Sequence, residues 1–206
     1  MEVWKVMLRR NKVQPDESQW LGYTDIFASS LLILILVTVV SAINNANNQK
    51  PPLITLTESE SYRFTTGSHK LSKKFKAELG KKLNDITRDI QKYNIDTIEV
   101  IGHTDGQPSP GMSNLDISLL NFSNAPKDAL HTMKAGSNID LGLLRALSVA
   151  SFLKEKLTQK NILVPNITPY SAGSLINTNG HFNPANNLPN SQRRRIEIRF
   201  TRSEIK

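Results

Sequence analysis

One carboxylate, Asp25, interrupts the longest apolar stretch of the sequence, which runs from Trp20 to Ile43. An ionised carboxylate inside a bilayer costs about 2.5 to 3.5 kcal/mol on insertion scales, so such a group is expected to pair, face a cavity or carry an ion. Ion translocation is therefore the first hypothesis for Asp25. The neighbouring side chains that are expected to border the ion path are Trp20, Tyr23, Thr24 and Ser29.

The element that must position Asp25 is a single membrane-spanning helix. Ile26–Ile43 is almost unbroken apolar sequence, and with Trp20–Asp25 it is long enough to cross about 30 Å of hydrocarbon. Basic residues precede the span and the first lysine after it is Lys50, so the positive-inside rule places the N-terminus in the cytoplasm. We therefore predict a cytoplasmic tail over 1–19, a transmembrane helix over 20–43 and an exported remainder. The alternative is a cleaved signal peptide, although the apolar run exceeds the usual length of about 7 to 15 residues.

Composition limits what the exported part can be. The chain has 206 residues, a formal net charge of +8 and no cysteine. The length after the anchor is enough for one domain, which must be held by its core because disulfides and thiolate metal sites are excluded. The basic residues are spread along the chain, so we expect an anionic polymer or membrane surface as a partner and no nucleic acid. Neither GxSxG nor HExxH is present and the histidines lack metal-site spacing, so we expect no enzyme, metal or cofactor.

Hydrophobic periodicity predicts an α/β domain after a polar linker over 44–52 that ends in two prolines. One amphipathic helix follows a cap at Ser72, and a second begins near Ile139 with Asn138 or Asp140 as its cap. The expected architecture is two main helices packed on one mixed β-sheet. Strands are predicted at Leu53–Thr57, Ser61–Phe64, Asp96–Gly102, Ile162–Tyr170 and Arg194–Thr201.

The last of these strands has a strict alternation. Ile196, Ile198 and Phe200 are expected to point into the core, while the charged residues between them point outward. These charged residues are Arg195, Glu197 and Arg199, and such an alternating set is usually a solvated face.

Two loops are unusual. Gln107–Ser137 is long for a structureless loop in a compact domain, which indicates either function or disorder, and we expect local helix at Asn114–Phe122 or Lys127–Lys134. Asn177–Asn190 is rich in Asn and Pro and is typical of an ordered surface loop.

Four segments of the exported part form a recognisable series: Tyr62–Leu71, Ile98–Asp105, Asn138–Ala146 and Arg194–Ile198. In this order they resemble the OmpA-like peptidoglycan-binding module over roughly Leu53–Arg202, within a domain that we assign to 53–206. The sequence departs from the family at the inserted loop 107–137, and at Arg193, where the family commonly has Asn.

This resemblance implies a ligand, the diaminopimelate of peptidoglycan stem peptides, which carries a free ammonium and a carboxylate. An acid and a planar arginine fork suit these two groups. By resemblance, Asp105 takes the ammonium and Arg145 the carboxylate, while Thr104, Asn138 and Arg194 support them. The alternative is that Asp105 only caps a turn and Arg145 lies on a solvated helix face. His103 is expected to be a packed strand-end residue.

The anchor resembles a narrower family, the B subunits of ion-driven stator motors such as flagellar MotB. Trp20, Tyr23 and Asp25 stand at the head of one apolar helix, between a short basic tail and an OmpA-like domain. Asp25 matches the ion-carrying aspartate of that family. The resemblance implies a homodimer inside a pentameric ring of MotA-like subunits in the bacterial inner membrane, with the C-terminal domain in the periplasm. We expect H+ in preference to Na+ as the transported ion.

The linker distinguishes members of this family. Flagellar B subunits usually carry a longer linker with a plug-like amphipathic segment, and here the region is only 44–52. The short linker and the inserted loop are most similar to ZorB of the Zorya anti-phage defence system, whose ring subunit is ZorA. A flagellar MotB-like subunit and a passive peptidoglycan tether, whose Asp25 only reaches the cytoplasmic interface, are the alternatives.

Overall fold

The computed structural model describes residues 17–48, 51–109, 111–120, 126–163 and 166–202. The chain divides into two compact units, Met1–Gln49 and Lys50–Lys206, and each is described by itself. The predicted cytoplasmic tail lies outside the described residues, except for its last positions.

The described part of the first unit is one helix, α1, which spans Glu17–Asn48. Its segment Trp20–Asn45 is the only one within the described ranges that is long and apolar enough to cross a membrane. At about 1.5 Å per residue it exceeds the roughly 30 Å of hydrocarbon that it would have to span. The helix extends further than predicted, through 44–48, because no helix-breaking residue occurs before Pro51.

The second unit is built on a four-stranded mixed sheet, with strand order β1-β4-β2-β3. Strand β4 is antiparallel to both β1 and β2, and β2 is parallel to β3. The predicted fold class, an apolar N-terminal helix followed by an α/β domain with a mixed sheet, is confirmed. The strands are β1 at Ile54–Thr57, β2 at Thr97–His103, β3 at Asn166–Gly173 and β4 at Arg195–Thr201.

One predicted strand, Ser61–Phe64, is wrong, because this segment is irregular backbone and pairs with no strand in the described part of the chain. Its two aromatic side chains, Tyr62 and Phe64, instead pack against the hydrophobic core. The ring of Tyr62 meets the ring of Phe75 edge-on, with 5.3 Å between the ring centres. The centre of the Phe64 ring lies 5.0 Å from that of Phe75. Strand β3 also begins later than predicted and runs on to Gly173.

Local signals explain the helix boundaries. The hydroxyl of Ser72 accepts a hydrogen bond from Phe75 N at 3.1 Å and caps the first long helix as predicted. That helix ends at Tyr93, and the residue that caps it, Asn94, has a left-handed φ of 49°. The helices of this unit are α2 at Lys73–Tyr93, α3 at Leu115–Leu120, α4 at Pro126–Thr132 and α5 at Asn138–Gln159.

The prediction that Asn138 or Asp140 caps α5 is wrong. Ser137 is the cap, since its hydroxyl accepts from Asp140 N at 3.1 Å. The side chain of Asp140 adds a second hydrogen bond at this end of the helix, because its Oδ2 accepts from Gly136 N at 2.9 Å. The two predicted local helices of the insert are present as α3 and α4.

Helices α2 and α5 supply the apolar core on one face of the sheet. Phe75, Leu79 and Ile86 of α2 and Leu153 of α5 are fully buried. They pack with residues of the two central strands, including Ile98, Val100, Ile196 and Ile198.

The prediction that the charged face of β4 is solvated is wrong for two of its three charged residues. Arg195 and Glu197 are each only 5% exposed, whereas Arg199 is exposed as expected. Strand β4 is central in the sheet, and Arg195 Nη2 donates to Asn177 O in the loop after β3 at 2.8 Å. The loop therefore covers charged side chains that the alternation placed in solvent.

Candidate functional site

A cleft of about 430 Å³ opens beside the residues that follow β2 and the first turns of α5. Its other walls come from the segment after β1, from the insert and from the loop that precedes β4. Every residue that was predicted to support ligand binding in the domain lines this cleft: Thr104, Asp105, Asn138, Arg145 and Arg194.

Two glycines let α5 approach β2 closely enough to form the cleft. A Cβ atom on Gly102 would lie 1.9 Å from the carbonyl oxygen of Gly142, so only glycine fits at this contact. Gly142 faces the same limit, because its Cβ would lie 2.4 Å from Ser171 Oγ. Arg145 stands one turn later on α5, and Asp105 follows β2, so this contact sets both on the cleft wall.

Arg145 is a buried cation and not part of a solvated helix face. It is 5% exposed, its Nε donates to Ser68 O at 3.1 Å, and its Cζ lies 4.8 Å from the centre of the Phe64 ring. Burial lowers the pKa of Arg145 to about 10, and the nearby carboxylate of Glu58 opposes that shift. Arg145 therefore stays protonated at neutral pH, with little water to compete for an anionic ligand.

A tight turn presents the carbonyl that holds Arg145. Ser68 N donates to Thr65 O at 2.9 Å, and Gly67 between them has a φ of +66°. A positive φ at this third position of a turn favours glycine. The turn thus fixes Ser68 O where the guanidinium can reach it.

Asp105 is also buried, at 4% exposure, and its carboxylate is already engaged. Its Oδ2 accepts from Asn190 N at 3.0 Å and pairs with Arg194 Nη1, and its Oδ1 accepts a long hydrogen bond from Gln107 N at 3.4 Å. Asp105 does more than cap a turn, because it ties the loop before β4 to the end of β2. The ion pair with Arg194 was not foreseen.

Glu58, directly after β1, is the acidic residue of the cleft that was not predicted from the sequence. Its carboxylate pairs with Arg194 Nε, while Glu58 N donates to Arg194 O at 2.9 Å. Burial alone would lower the pKa of Arg194, but the hydrogen bonds to Glu58 and Asp105 outweigh it and raise that pKa. The only sequence signal for Glu58 was its position directly after a predicted strand.

The remaining predicted residues have structural partners as well. Asn138 Nδ2 donates to Gln107 O at 2.9 Å and so holds the start of the insert against α5. Thr104 N donates to Gly173 O at 2.8 Å. The Thr104 hydroxyl is buried and meets no hydrogen-bond partner within the described ranges.

The insert forms part of the cleft wall. Leu115, Ala129 and Met133 of the insert are buried against Leu144 and Leu147 of α5 in a small second core. His69 Nε2 lies 2.9 Å from Leu130 O, which links α4 to the segment that carries the Ser68 turn. Burial lowers the pKa of His69, so the ring is mainly neutral at pH 7.

A buried charge network lies behind the cleft. Glu197 accepts hydrogen bonds from Arg195 Nε at 2.9 Å and from Arg199 Nη2 at 2.7 Å, and His103 Nε2 lies 3.3 Å from its Oε1. The approach of His103, followed by the two arginines, lowers the pKa of Glu197 to about 2. His103 is 1% exposed and is a packed strand-end residue as expected. The network joins the ends of β2 and β4, from which Asp105 and Arg194 extend.

The first unit holds the other predicted site residues on α1. Thr24 Oγ1 donates to Trp20 O at 3.0 Å and to Leu21 O at 2.9 Å, so its hydroxyl is satisfied within the helix. Asp25 and Ser29 are four residues apart and therefore share one face of α1. Trp20 and Tyr23 are exposed, at 60% and 59%.

Comparison with known proteins gives similarity to solved structures only. No protein-family model and no curated protein matches this chain. The periplasmic domain of Helicobacter pylori MotB is 19% identical, over 75% of this chain and 78% of that one, with a TM-score of 0.47. The cell wall anchor of the T6SS from Pseudomonas aeruginosa is 20% identical, over 73% of this chain and 81% of that one, with a TM-score of 0.40. The peptidoglycan-associated lipoprotein from Burkholderia pseudomallei is 15% identical, over 71% and 89%, with a TM-score of 0.37.

Proposed function

We propose that the domain after α1 binds peptidoglycan through the diaminopimelate of its stem peptides. The observation that carries the proposal is the cleft that unites the buried cation Arg145 with the buried carboxylate of Asp105. An amino acid with both an ammonium and a carboxylate complements such a pair, and an arginine fork can bind the carboxylate with two parallel hydrogen bonds. Desolvation of both charges strengthens these interactions relative to the same pair in water.

Co-sedimentation of the full-length protein in detergent with purified peptidoglycan tests this proposal. Asp105→Asn and Arg145→Ala should each release the protein from the pellet. Lys154→Ala is the matched control, because Lys154 is an exposed cation on the same helix as Arg145. Retention of both cleft variants in the pellet would refute the assigned site.

For the anchor, we infer the role of the ion-conducting B subunit of a rotary stator in the bacterial inner membrane. Asp25 is the only acidic or basic side chain in Trp20–Asn45, and an intramembrane acid is by default a functional group. One charge crossing 100 mV releases about 2.3 kcal/mol, which is comparable to the cost of holding the acid in the membrane. In this role two copies pair inside a pentameric MotA-like ring, Asp25 carries H+, and the wall-bound domain stays fixed in the periplasm.

Replacing Asp25 with Asn should abolish ion flux and motor output and leave peptidoglycan binding intact. Thr38→Val is a control within the same helix, because it alters a polar residue on α1 without changing the charge. Flux is measured as acidification of cells that express the chain with its native neighbouring genes. Unchanged flux in the Asp25 variant would leave a passive tether.

Among stator motors, we propose the Zorya anti-phage system before the flagellar motor. The supporting features are the few residues between the end of α1 at Asn48 and the start of β1 at Ile54, and the insert on the cleft wall. Phage protection and swimming motility, measured side by side with and without Asp25→Asn, separate the two motors. Loss of protection alone supports the antiviral stator, and loss of motility alone supports the flagellar one.

A further inference from the structure

Glu58 lies outside every segment that identified the cleft, yet its carboxylate reaches the same arginine as Asp105. Arg194 donates from Nε to Glu58 and from Nη1 to Asp105. The side chains of both acids are largely buried, at 13% exposure for Glu58 and 6% for Asp105. One cation is therefore shared by two buried carboxylates.

This sharing changes the charge balance of the cleft. If Asp105 were the only acid, Arg194 would neutralise it, and no negative charge would remain to attract an ammonium. With Glu58 present, the three groups carry one negative charge in excess. The buried Arg145, whose charge also interacts with Glu58, brings the four groups to neutrality, which suits a ligand with one ammonium and one carboxylate. Arg63 Nε lies 3.7 Å from Glu58 Oε1, but its side chain is 74% exposed, so water screens most of its effect.

The oxygens of Asp105 show where a ligand would bind. Its Oδ2 already accepts from Arg194 and from Asn190 N. Its Oδ1 has a single long contact, 3.4 Å from Gln107 N, and a carboxylate oxygen can accept more than one hydrogen bond. Oδ1 is thus the oxygen that remains for a donor from the ligand.

We propose that Glu58 supplies the negative charge that makes this half of the cleft a cation site, and that Glu58 thereby selects ligands with a free ammonium. Asp105 Oδ1 accepts a hydrogen bond from the ligand ammonium, and Arg145 binds the ligand carboxylate. Arg194 bridges the two acids. The inference rests on the proposed peptidoglycan binding and adds to it the residue on which ammonium recognition depends.

The test compares two ligands and three proteins. The ligands are a stem tripeptide that ends in meso-diaminopimelate, with its N-terminus acetylated, and the same peptide with the diaminopimelate amine also acetylated. The proteins are the full-length chain, Glu58→Gln and Glu60→Gln, each in lipid nanodiscs. Glu58→Gln keeps the size of the side chain and an oxygen that can accept from Arg194. Glu60 is 96% exposed and provides the same charge change two residues away.

Titration calorimetry should show that Glu58→Gln weakens binding of the free-amine peptide by tenfold or more. The amine-blocked peptide should bind equally weakly to the parent chain and to Glu58→Gln, which also shows that the variant cleft is intact. Glu60→Gln should bind the free-amine peptide like the parent.

Two results would overturn the inference and leave peptidoglycan binding standing. In the first, Glu58→Gln binds the free-amine peptide as tightly as the parent, so that Asp105 suffices. In the second, Glu58→Gln weakens both peptides equally, so that Glu58 acts through the shape of the cleft. If the parent chain binds neither peptide, the proposed function itself fails, and the inference fails with it.

Discussion

Replacing Glu197 with Gln should lower the free energy of unfolding of the domain by about 3 kcal/mol at neutral pH. Glu197 is 5% exposed and is surrounded by His103, Arg199 and Arg195, which lower its pKa from 4.5 to about 2. Each unit of pKa difference between the folded and unfolded states is worth about 1.4 kcal/mol, which leads to about 3 kcal/mol. Removing one partner of a buried ion pair costs about 3 to 5 kcal/mol, and the figure from the pKa shift lies at the lower end of that range.

The pH dependence follows from the direction of that shift. The folded state holds the carboxylate ionised more strongly than the unfolded state, so the contribution is fully present above about pH 4.5. It is lost as the pH falls through about 2, where Glu197 becomes protonated in the folded protein as well. The stability difference between the parent and Glu197→Gln should therefore shrink steadily across that range.

Urea unfolding of the full-length protein in detergent, followed by circular dichroism, measures this difference at pH 7 and at several values below pH 4.5. Glu99→Gln is the matched control, because Glu99 lies opposite Arg199 in the sheet but is only half-buried. It should cost less than about 1 kcal/mol. If Glu197→Gln costs no more than this control, or if its cost is the same at pH 7 and pH 2, the reasoning about the network is refuted.

Other substitutions test the packing and the cleft. Gly102→Ala should cost several kcal/mol or prevent folding, because its Cβ would lie 1.9 Å from Gly142 O, and urea unfolding measures the loss. Gly80→Ala should stabilise the domain by about 0.5 to 1 kcal/mol in the same assay, since it lies in α2 with open space around it. Arg145→Lys should reduce co-sedimentation with peptidoglycan about tenfold although it keeps the charge, because lysine cannot bind a carboxylate with a planar fork or stack on Phe64.

Most of the fold could be predicted because its signals are local. The apolar spacing of α2, the hydroxyl of Ser72 and the alternation in β4 are each contained within a few turns or residues of the chain. The strand at Ser61–Phe64 was wrong because alternation also suits two aromatic rings that cover a core. Such a segment becomes a strand only if another strand pairs with it, and none of the four strands of the sheet does so.

The cleft was predictable only in part. Asp105, Arg145 and Arg194 were found by resemblance, and the structure brings them together. Glu58 was missed because its role depends on the antiparallel pairing of β1 with β4, which sets Glu58 N 2.9 Å from Arg194 O. That pairing joins segments that are far apart in the sequence.

The sequence by itself determined the apolar anchor with its single acid, the amphipathic faces of the long helices and the order of the four observed strands and the long helices. These features depend on hydrophobic periodicity, capping and turn chemistry, which act between neighbouring residues. Only the tertiary structure decided that Arg145, Arg195 and Glu197 are buried and that Arg194 is shared by Glu58 and Asp105. Desolvation and ion pairing depend on which distant segments exclude water from a charge, and no local pattern in the chain records that.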